Sequence, residues 1–192
     1  MTSTLSDPRI TRVTPTESLL TGSLLVAPVI YLAADATYAA RGWDDAAAGV
    51  LHVLGAIAYG FLVMGMAFRT AAFPRLSVAI LATGLVGFAG TVAYGFDTIH
   101  TSLGDIPLVD QPGAANLIKP LGLFFPLSLA LVAVGLAKLG HRWQAVLVLG
   151  AAIVWPIAHI ANIAALAVAV SVVLVVAFGS LAWPRTASAS AS

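Results

Sequence analysis

Long apolar stretches, separated by short polar segments, run through most of this chain. They form six runs, at 19–40, 46–68, 76–101, 114–137, 143–161 and 163–183. A helix needs about 20 residues, each rising 1.5 Å, to cross the hydrocarbon part of a bilayer. The sequence therefore predicts an all-α integral membrane protein in which about six transmembrane helices form a single bundle.

The boundary between the last two runs is the least distinct. No residue from Trp143 to Trp183 carries a fixed charge. A stretch of roughly 41 residues is nevertheless twice as long as one span requires. We therefore expect a tight turn near Asn162 to divide it into two helices.

The composition excludes several other classes of protein. Apolar residues make up 60% of the chain and charged residues 9%, with a mean hydropathy of +0.99, which is too apolar for a soluble domain of this length. The net charge of +1 and the lack of a basic run argue against a nucleic-acid partner. Without cysteine, disulfides and thiolate metal sites are excluded. The expected partner is the lipid bilayer, a hydrophobic small molecule is a candidate ligand, and the oligomeric state stays open.

The two ends of the chain show no helical pattern. Residues 1–16 are polar and contain Pro8 and Pro15, while residues 185–192 form an Ala/Ser-rich tail. Such segments bury too little apolar surface to fold, so both are predicted to be disordered. The helical bundle is predicted to cover residues 17–184.

Lysine and arginine are distributed unevenly between the predicted loops. One side of the membrane would hold Arg9, Arg12, Arg69, Arg75, Lys138, Arg142 and Arg185, and the other only Arg41 and Lys119. Because basic loops stay in the cytoplasm, we predict a multi-pass cell-membrane protein, of the bacterial inner membrane, with both termini cytoplasmic. A cleaved signal peptide ending near Ala34 is an alternative that would leave five spans and remove Asp35, but the first apolar run is longer than a signal core.

Ionisable residues at membrane depth are costly, so each is a candidate functional residue. In the predicted orientation, the ionisable residues within the helices lie toward the extracytoplasmic side, together with two asparagines. They are Asp35, His52, Asp97, His100, Asn116, Lys119, His159 and Asn162. Aromatic side chains share helical faces with several of them, at Tyr31, Tyr38, Tyr59, Tyr94 and Trp155. This pattern predicts a polar cavity in which Tyr31, Tyr59, Tyr94, Trp155, Asn116 and Asn162 bind a substrate.

The first functional hypothesis is a membrane-embedded enzyme that acts on a lipid or isoprenoid-like substrate. Asp97 or Asp35 would be the general acid/base, with His100 or His52 as its partner. Asp97 and His100 are three residues apart on one helical face. In a metal-assisted variant, a divalent ion such as zinc or iron would be bound by His52, Asp97, His100 and His159.

A second hypothesis uses histidine to bind haem b for electron transfer. His100 and His159 lie at similar heights on the third and fifth predicted helices and would be the axial ligands. This disposition resembles part of the cytochrome b561 pattern, in which four histidines hold two haems. The fourth predicted helix has no histidine to pair with His52, so the resemblance implies one haem at most.

Two further interpretations remain open at this stage. In a proton- or cation-coupled transporter or a small-molecule binding protein, Asp35 and Asp97 would carry the ion. Alternatively, polar residues near helix ends only face lipid headgroups. Separately, Gly84, Gly87 and Gly95 lie on one face of the third run, and this face is predicted to pack closely against another helix.

Overall fold

The protein is described here by a computed structural model that covers residues 13–182. Two short 3-10 helices, Leu108–Asp110 and Gly113–Leu117, lie in the connection between α3 and α4, and the described part contains no β-strand. The predicted disorder of residues 1–12 and 185–192 falls outside the described residues. The six α-helices are α1 (Pro15–Arg41), α2 (Ala46–Arg69), α3 (Pro74–Ser102), α4 (Ile118–Lys138), α5 (Arg142–Ile160) and α6 (Ala164–Ala182).

All six of these helices are long and apolar enough to cross a membrane. This confirms the predicted number of long apolar helices and supports a multi-pass membrane protein. Large apolar side chains are exposed on the outer faces, for example Val29 of α1, Leu54 of α2, Val134 of α4 and Ile153 of α5. Such a surface is unsuited to water and suits contact with lipid tails. The orientation across the membrane stays a prediction.

The helices form a closed ring in chain order. Each helix packs against the next one along the chain, and α6 packs against α1. The connections 42–45, 103–117 and 161–163 lie at one end of this ring, which we call the cavity end. The connections 70–73 and 139–141 lie at the other end, which we call the closed end.

The first helix begins slightly earlier than the sequence predicts. α1 begins at Pro15, inside the segment predicted to be disordered. Thr14 and Glu17 form a capping box, in which Glu17 N donates to Thr14 Oγ1 (3.2 Å) and Thr14 N donates to Glu17 Oε2 (2.8 Å). Because this pair satisfies backbone groups at the helix start and proline suits the first turn, the boundary moves outward.

The turn predicted near Asn162 is confirmed. α5 ends at Ile160 and α6 begins at Ala164. Between them Asn162 adopts a φ of 52°, a left-handed conformation that asparagine tolerates better than most residues. This turn brings the start of α6 beside the end of α5 at the cavity end.

Glycines of α3 make the closest helix contacts. A Cβ atom on Gly95 would lie 2.9 Å from the carbonyl oxygen of Gly49 on α2, and one on Gly87 would lie 2.7 Å from the backbone nitrogen of Phe125 on α4. Neither position leaves room for a side chain, so α3 is held backbone to backbone against both neighbours. The predicted packing role of this face is confirmed.

An aromatic layer crosses the middle of the ring. The ring centroid of Phe125 lies 5.3 Å from that of Tyr31, 4.6 Å from that of Tyr59 and 5.1 Å from that of Trp155. On the closed side of this layer the buried side chains are mainly apolar, including Leu24, Val63, Met66, Leu136 and Val148. The layer therefore separates a packed apolar half from the half that holds most of the buried polar groups.

Candidate functional site

A cavity of about 540 Å³ lies at the cavity end of the ring. Its volume falls in the range of small-molecule sites. His52, Tyr94, Trp155 and His159 are among its lining residues. The cavity is also lined by polar groups of the helix ends and connections, which are Asp44, Asp97, Asp110, Lys119 and Asn162.

Asp35 joins three helices beside this cavity. Its side chain is 1% exposed. Ser171 Oγ of α6 donates to Asp35 Oδ2 at 2.5 Å, and His159 Nε2 of α5 lies 3.3 Å from Asp35 Oδ1. A buried carboxyl group is stable only when its oxygens have partners, and here α5 and α6 supply them to α1.

The second nitrogen of His159 also has a partner inside the bundle. Nδ1 lies 3.0 Å from the carbonyl oxygen of Trp155, one turn earlier in α5. Because a carbonyl oxygen can only accept a hydrogen bond, Nδ1 is the donor in this contact. Nε2 is left to bond to Asp35, either as the donor to a carboxylate or as the acceptor from a protonated carboxyl group.

Two indole rings enclose the imidazole of His159. The Trp155 ring stacks on it with the centroids 4.2 Å apart, and the Trp43 ring meets it edge-on at 6.0 Å. Trp43 Nε1 donates to the carbonyl oxygen of Asn162 at 3.2 Å, which ties the α1–α2 connection to the α5–α6 turn. The contact between Asp35 and His159 is therefore shielded from bulk water but borders the cavity.

His52 lies deeper and has no hydrogen-bond partner among the described residues. It is 1% exposed, yet both Nδ1 and Nε2 are unpaired, as is the hydroxyl of Tyr31. The rings of Tyr31 and Tyr94 pack around the imidazole at centroid distances of 5.1 Å each, and Tyr38 at 6.2 Å. An unsatisfied buried polar group costs about 1–3 kcal/mol, so these atoms form a place for a ligand or an ordered water.

Asp97 and His100 do not form the acid/base pair that the sequence predicts. Both carboxylate oxygens of Asp97 accept from the backbone N–H of Leu108, at 3.0 and 3.2 Å. The His100 side chain is 68% exposed, with Nδ1 3.3 Å from Asp105 Oδ2. The physical reason is that the α3–α4 connection folds back on the end of α3 and offers each side chain a closer partner.

The predicted metal and haem ligands are not brought together. Among the residues that the structure describes, no three His, Asp or Glu side chains are close enough to hold a metal ion, so His52, Asp97, His100 and His159 form no common site. The predicted haem pair is also divided. His159 uses both ring nitrogens inside the bundle, whereas His100 lies at the surface.

The predicted substrate-binding residues fall into three groups. Tyr94, Trp155 and Asn162 line the cavity. Tyr31 and Tyr59 belong to the aromatic layer, where the hydroxyl of Tyr59 bonds to that of Ser128. Asn116 instead donates from Nδ2 to the carbonyl oxygen of Gln111 at 2.8 Å, so it shapes the α3–α4 connection.

Sequence reasoning missed Ser171 and Trp43. Ser171 and Ser180 are the two hydroxyl residues of the otherwise apolar α6. A polar residue in a charge-free helix was therefore an available signal. Trp43 lies in a connection, where a tryptophan ordinarily indicates only the membrane interface. Its contact with the ring of His159 depends on the tertiary fold and has no local sequence signal.

Comparisons of the chain with protein-family models, with curated proteins and with solved structures found no match. The geometry of the cavity and of its buried polar groups is therefore the basis for a proposed function.

Proposed function

We propose that this protein is a membrane-embedded enzyme that binds a lipid or isoprenoid-like molecule in the cavity and exchanges a proton with it through Asp35 and His159. The observation that carries this proposal is the contact between a buried carboxyl group and an imidazole, Asp35 Oδ1 and His159 Nε2 at 3.3 Å, at the edge of an aromatic-lined cavity. Acid/base centres are characteristically built from a carboxyl group and an imidazole within hydrogen-bonding reach.

The lining of the cavity supports an amphiphilic ligand. Aromatic faces and the apolar side chains of Ile118, Leu123 and Ile160 contribute to its wall, together with polar groups from the connections. Beside Gly122 of α4 there is open space, since no other atom lies within 4 Å of where its Cβ would be. A molecule with an apolar chain and a polar head matches this division.

The arrangement of the pair assigns a role to each partner. His159 lines the cavity, and Asp35 lies behind it, fixed by Ser171. Asp35 would orient the imidazole and stabilise its charged form through Nε2, as a carboxylate does for a catalytic histidine. Because Nδ1 is bonded to the Trp155 carbonyl, proton exchange requires the ring to turn so that a ligand oxygen replaces that carbonyl. The Nδ1 proton then passes to this oxygen, and a proton that the converted ligand gives up returns to Nδ1 and restores the pair.

The haem and transport hypotheses have less support. A haem bound between His100 and His159 would require His100 to leave the surface and His159 to give up a ring nitrogen. A path for ions would have to cross the aromatic layer of Tyr31, Tyr59 and Phe125.

Binding is tested by filling the cavity. Gly122→Leu should place a side chain in the open space without a clash and displace the ligand, while Gly150→Leu on α5, where a Cβ also meets nothing within 4 Å, is the matched control. We expect organic extracts of the purified parent and of the control, examined by mass spectrometry, to contain the same amphiphile, and extracts of Gly122→Leu to lack it. Equal extracts from all three proteins would contradict the proposal.

The acid/base role is tested with variants that lack the imidazole of His159 or the carboxyl group of Asp35. His159→Phe keeps a ring between Trp43 and Trp155, and Asp35→Asn keeps the shape of the carboxyl group. We expect variants that fold to retain the bound molecule in its unconverted form, whereas His141→Phe, in the exposed loop at the closed end, behaves like the parent. If His159→Phe yields the same products as the parent, the acid/base role is wrong and only binding remains.

A further inference from the structure

We infer that His52 and Tyr31 form the head-group subsite of this cavity and that it takes an uncharged oxygen, an alcohol or a carbonyl, of an isoprenoid-like lipid. This inference rests on the proposed function and names the chemistry of its ligand. It is carried by three buried polar atoms without partners, by the aromatic rings around them and by the charges of the cavity lining.

The unpaired atoms define what the ligand must offer. Neutral imidazole has one N–H donor and one nitrogen acceptor, and the Tyr31 hydroxyl can donate or accept. All three atoms are buried and unpaired among the described residues. A hydroxyl group can donate to the unprotonated imidazole nitrogen and accept from Tyr31, and a carbonyl oxygen can accept from the imidazole N–H and from Tyr31. Either one satisfies the Tyr31 hydroxyl and one of the two ring nitrogens, which removes part of the cost of leaving these groups unsatisfied.

The aromatic rings define the direction of approach. Tyr31, Tyr38 and Tyr94 pack against the imidazole of His52, and His52 also lines the cavity. A ligand therefore reaches this histidine from the cavity, with its head group at the deep end. The aromatic surroundings suit a compact or planar head group that makes van der Waals contact with ring edges and faces.

The charges of the lining argue against an anionic head group. The lining includes the carboxyl groups of Asp44, Asp97 and Asp110, whereas its single lysine or arginine is Lys119. Carboxylates repel an approaching anion, most strongly at the buried Asp97, because water screens the charges of the exposed Asp44 and Asp110. A phosphate or fatty-acid head group would also lose its hydration without meeting a cation beside His52. Uncharged lipids carry no such penalty.

The test compares ligands that share a tail and differ in charge. Full-length protein in phosphatidylcholine nanodiscs is titrated with farnesol, with farnesyl diphosphate and with a farnesyl-substituted benzoquinone, and binding is followed by the change in tryptophan fluorescence, since Trp43 and Trp155 line the cavity. We expect farnesol or the quinone to bind at least about tenfold more tightly than the diphosphate, which corresponds to about 1.4 kcal/mol. The stronger of the two identifies an alcohol or a carbonyl as the natural head group.

Two variants connect this binding to the subsite. His52→Phe keeps an aromatic ring and removes both nitrogens, and we expect it to weaken binding of the preferred ligand about tenfold. Tyr31→Phe removes only the hydroxyl and should weaken binding by about three- to tenfold, which keeps the test available if His52→Phe does not fold. His141→Phe is the control and should leave the affinity unchanged.

Several results would overturn the inference, and they separate it from the proposed function. If the diphosphate binds as tightly as farnesol, or if both subsite variants bind like the parent, the subsite is wrong, although a ligand displaced by Gly122→Leu would still support an amphiphile-binding cavity. The same holds if none of the three probes binds while an amphiphile of other chemistry co-purifies. If no probe binds and nothing co-purifies, both proposals fail and His52 is satisfied by water alone.

Discussion

The two halves of the bundle differ in what they bury. Toward the cavity end, the helices enclose Asp35, His52, Asp97 and His159, together with the tyrosines that surround them. Toward the closed end, the interior is mainly aliphatic, and short connections join the helices. The aromatic layer around Phe125 marks the change from one half to the other.

This difference indicates which half carries function. Within a bilayer, helix association depends on close packing more than on exclusion of water. The closed half meets this requirement: a Cβ on Gly84 would run into the Val63 side chain, and one on Gly135 would lie 2.8 Å from Thr70 Cγ2. Buried ionisable groups add cost without improving such packing. Their concentration in the other half is the reason for placing the proposed chemistry there.

The largest effect is expected from an experiment that tests on which side of the membrane each end of the bundle lies. Reporter fusions in the 70–73 connection should report the cytoplasm, and fusions in the 103–117 connection should report the outside, because basic residues are concentrated near the closed end. The readout is the activity of paired reporters that each work on only one side of the membrane. A reversed result would place the cavity on the cytoplasmic side and overturn the predicted orientation.

Side chains added to the packed face of α3 should be equally destabilising in both halves of the bundle. Gly84→Leu in the closed half and Gly95→Leu in the cavity half should each cost at least about 3 kcal/mol, because the added side chain must push α2 away. The measurements are folded yield and melting temperature, with Gly150→Leu as the control that meets no neighbour. Normal yield for Gly95→Leu alone would show that the cavity half tolerates separation of its helices.

A smaller effect is expected at Asp97, which the sequence suggests as the principal acid. Asp97→Ala leaves the N–H of Leu108 without its acceptor and should cost about 1–2 kcal/mol. Asp97→Asn keeps one oxygen acceptor and should melt close to the parent. Hydrogen exchange in the 103–117 connection reports the loosening directly. If Asp97→Asn folds normally but stops conversion of the bound lipid, Asp97 is part of the chemistry after all.

The smallest effect is expected at Gln144, a buried polar residue of the closed half, and it is compared with the effect at Ser171 in the cavity half. Gln144 Oε1 has no partner among the described residues, and Nε2 makes only a 3.4 Å bond to Ser180, so Gln144→Leu should change stability by less than about 1 kcal/mol. Ser171→Ala should cost more, about 1–3 kcal/mol, because Asp35 loses a donor. Thermal melting of both variants decides this, and equal costs would remove the distinction between the halves.

Local periodicity accounts for what could be predicted of the site. Tyr31, Asp35 and Tyr38 recur at helical spacing, and the structure buries all three on one face of α1. Trp155 and His159 are one turn apart, and their rings stack. Helical spacing could not predict the partners of Asp97 and His100 at the end of α3, because those partners lie in the connection that follows the helix.

The six apolar helices, the turn at Asn162 and the gathering of ionisable residues toward one end could be predicted from the sequence, because each depends on apolar length or on spacing within one helix. Which of these residues meet depends on how the helices pack together. Asp35 contacts His159 and Ser171, residues far away along the chain, and no local pattern encodes that contact. On α3, Gly87 and Gly95 let the backbones of α4 and α2 approach, and in this rotation Asp97 is buried while His100 faces out.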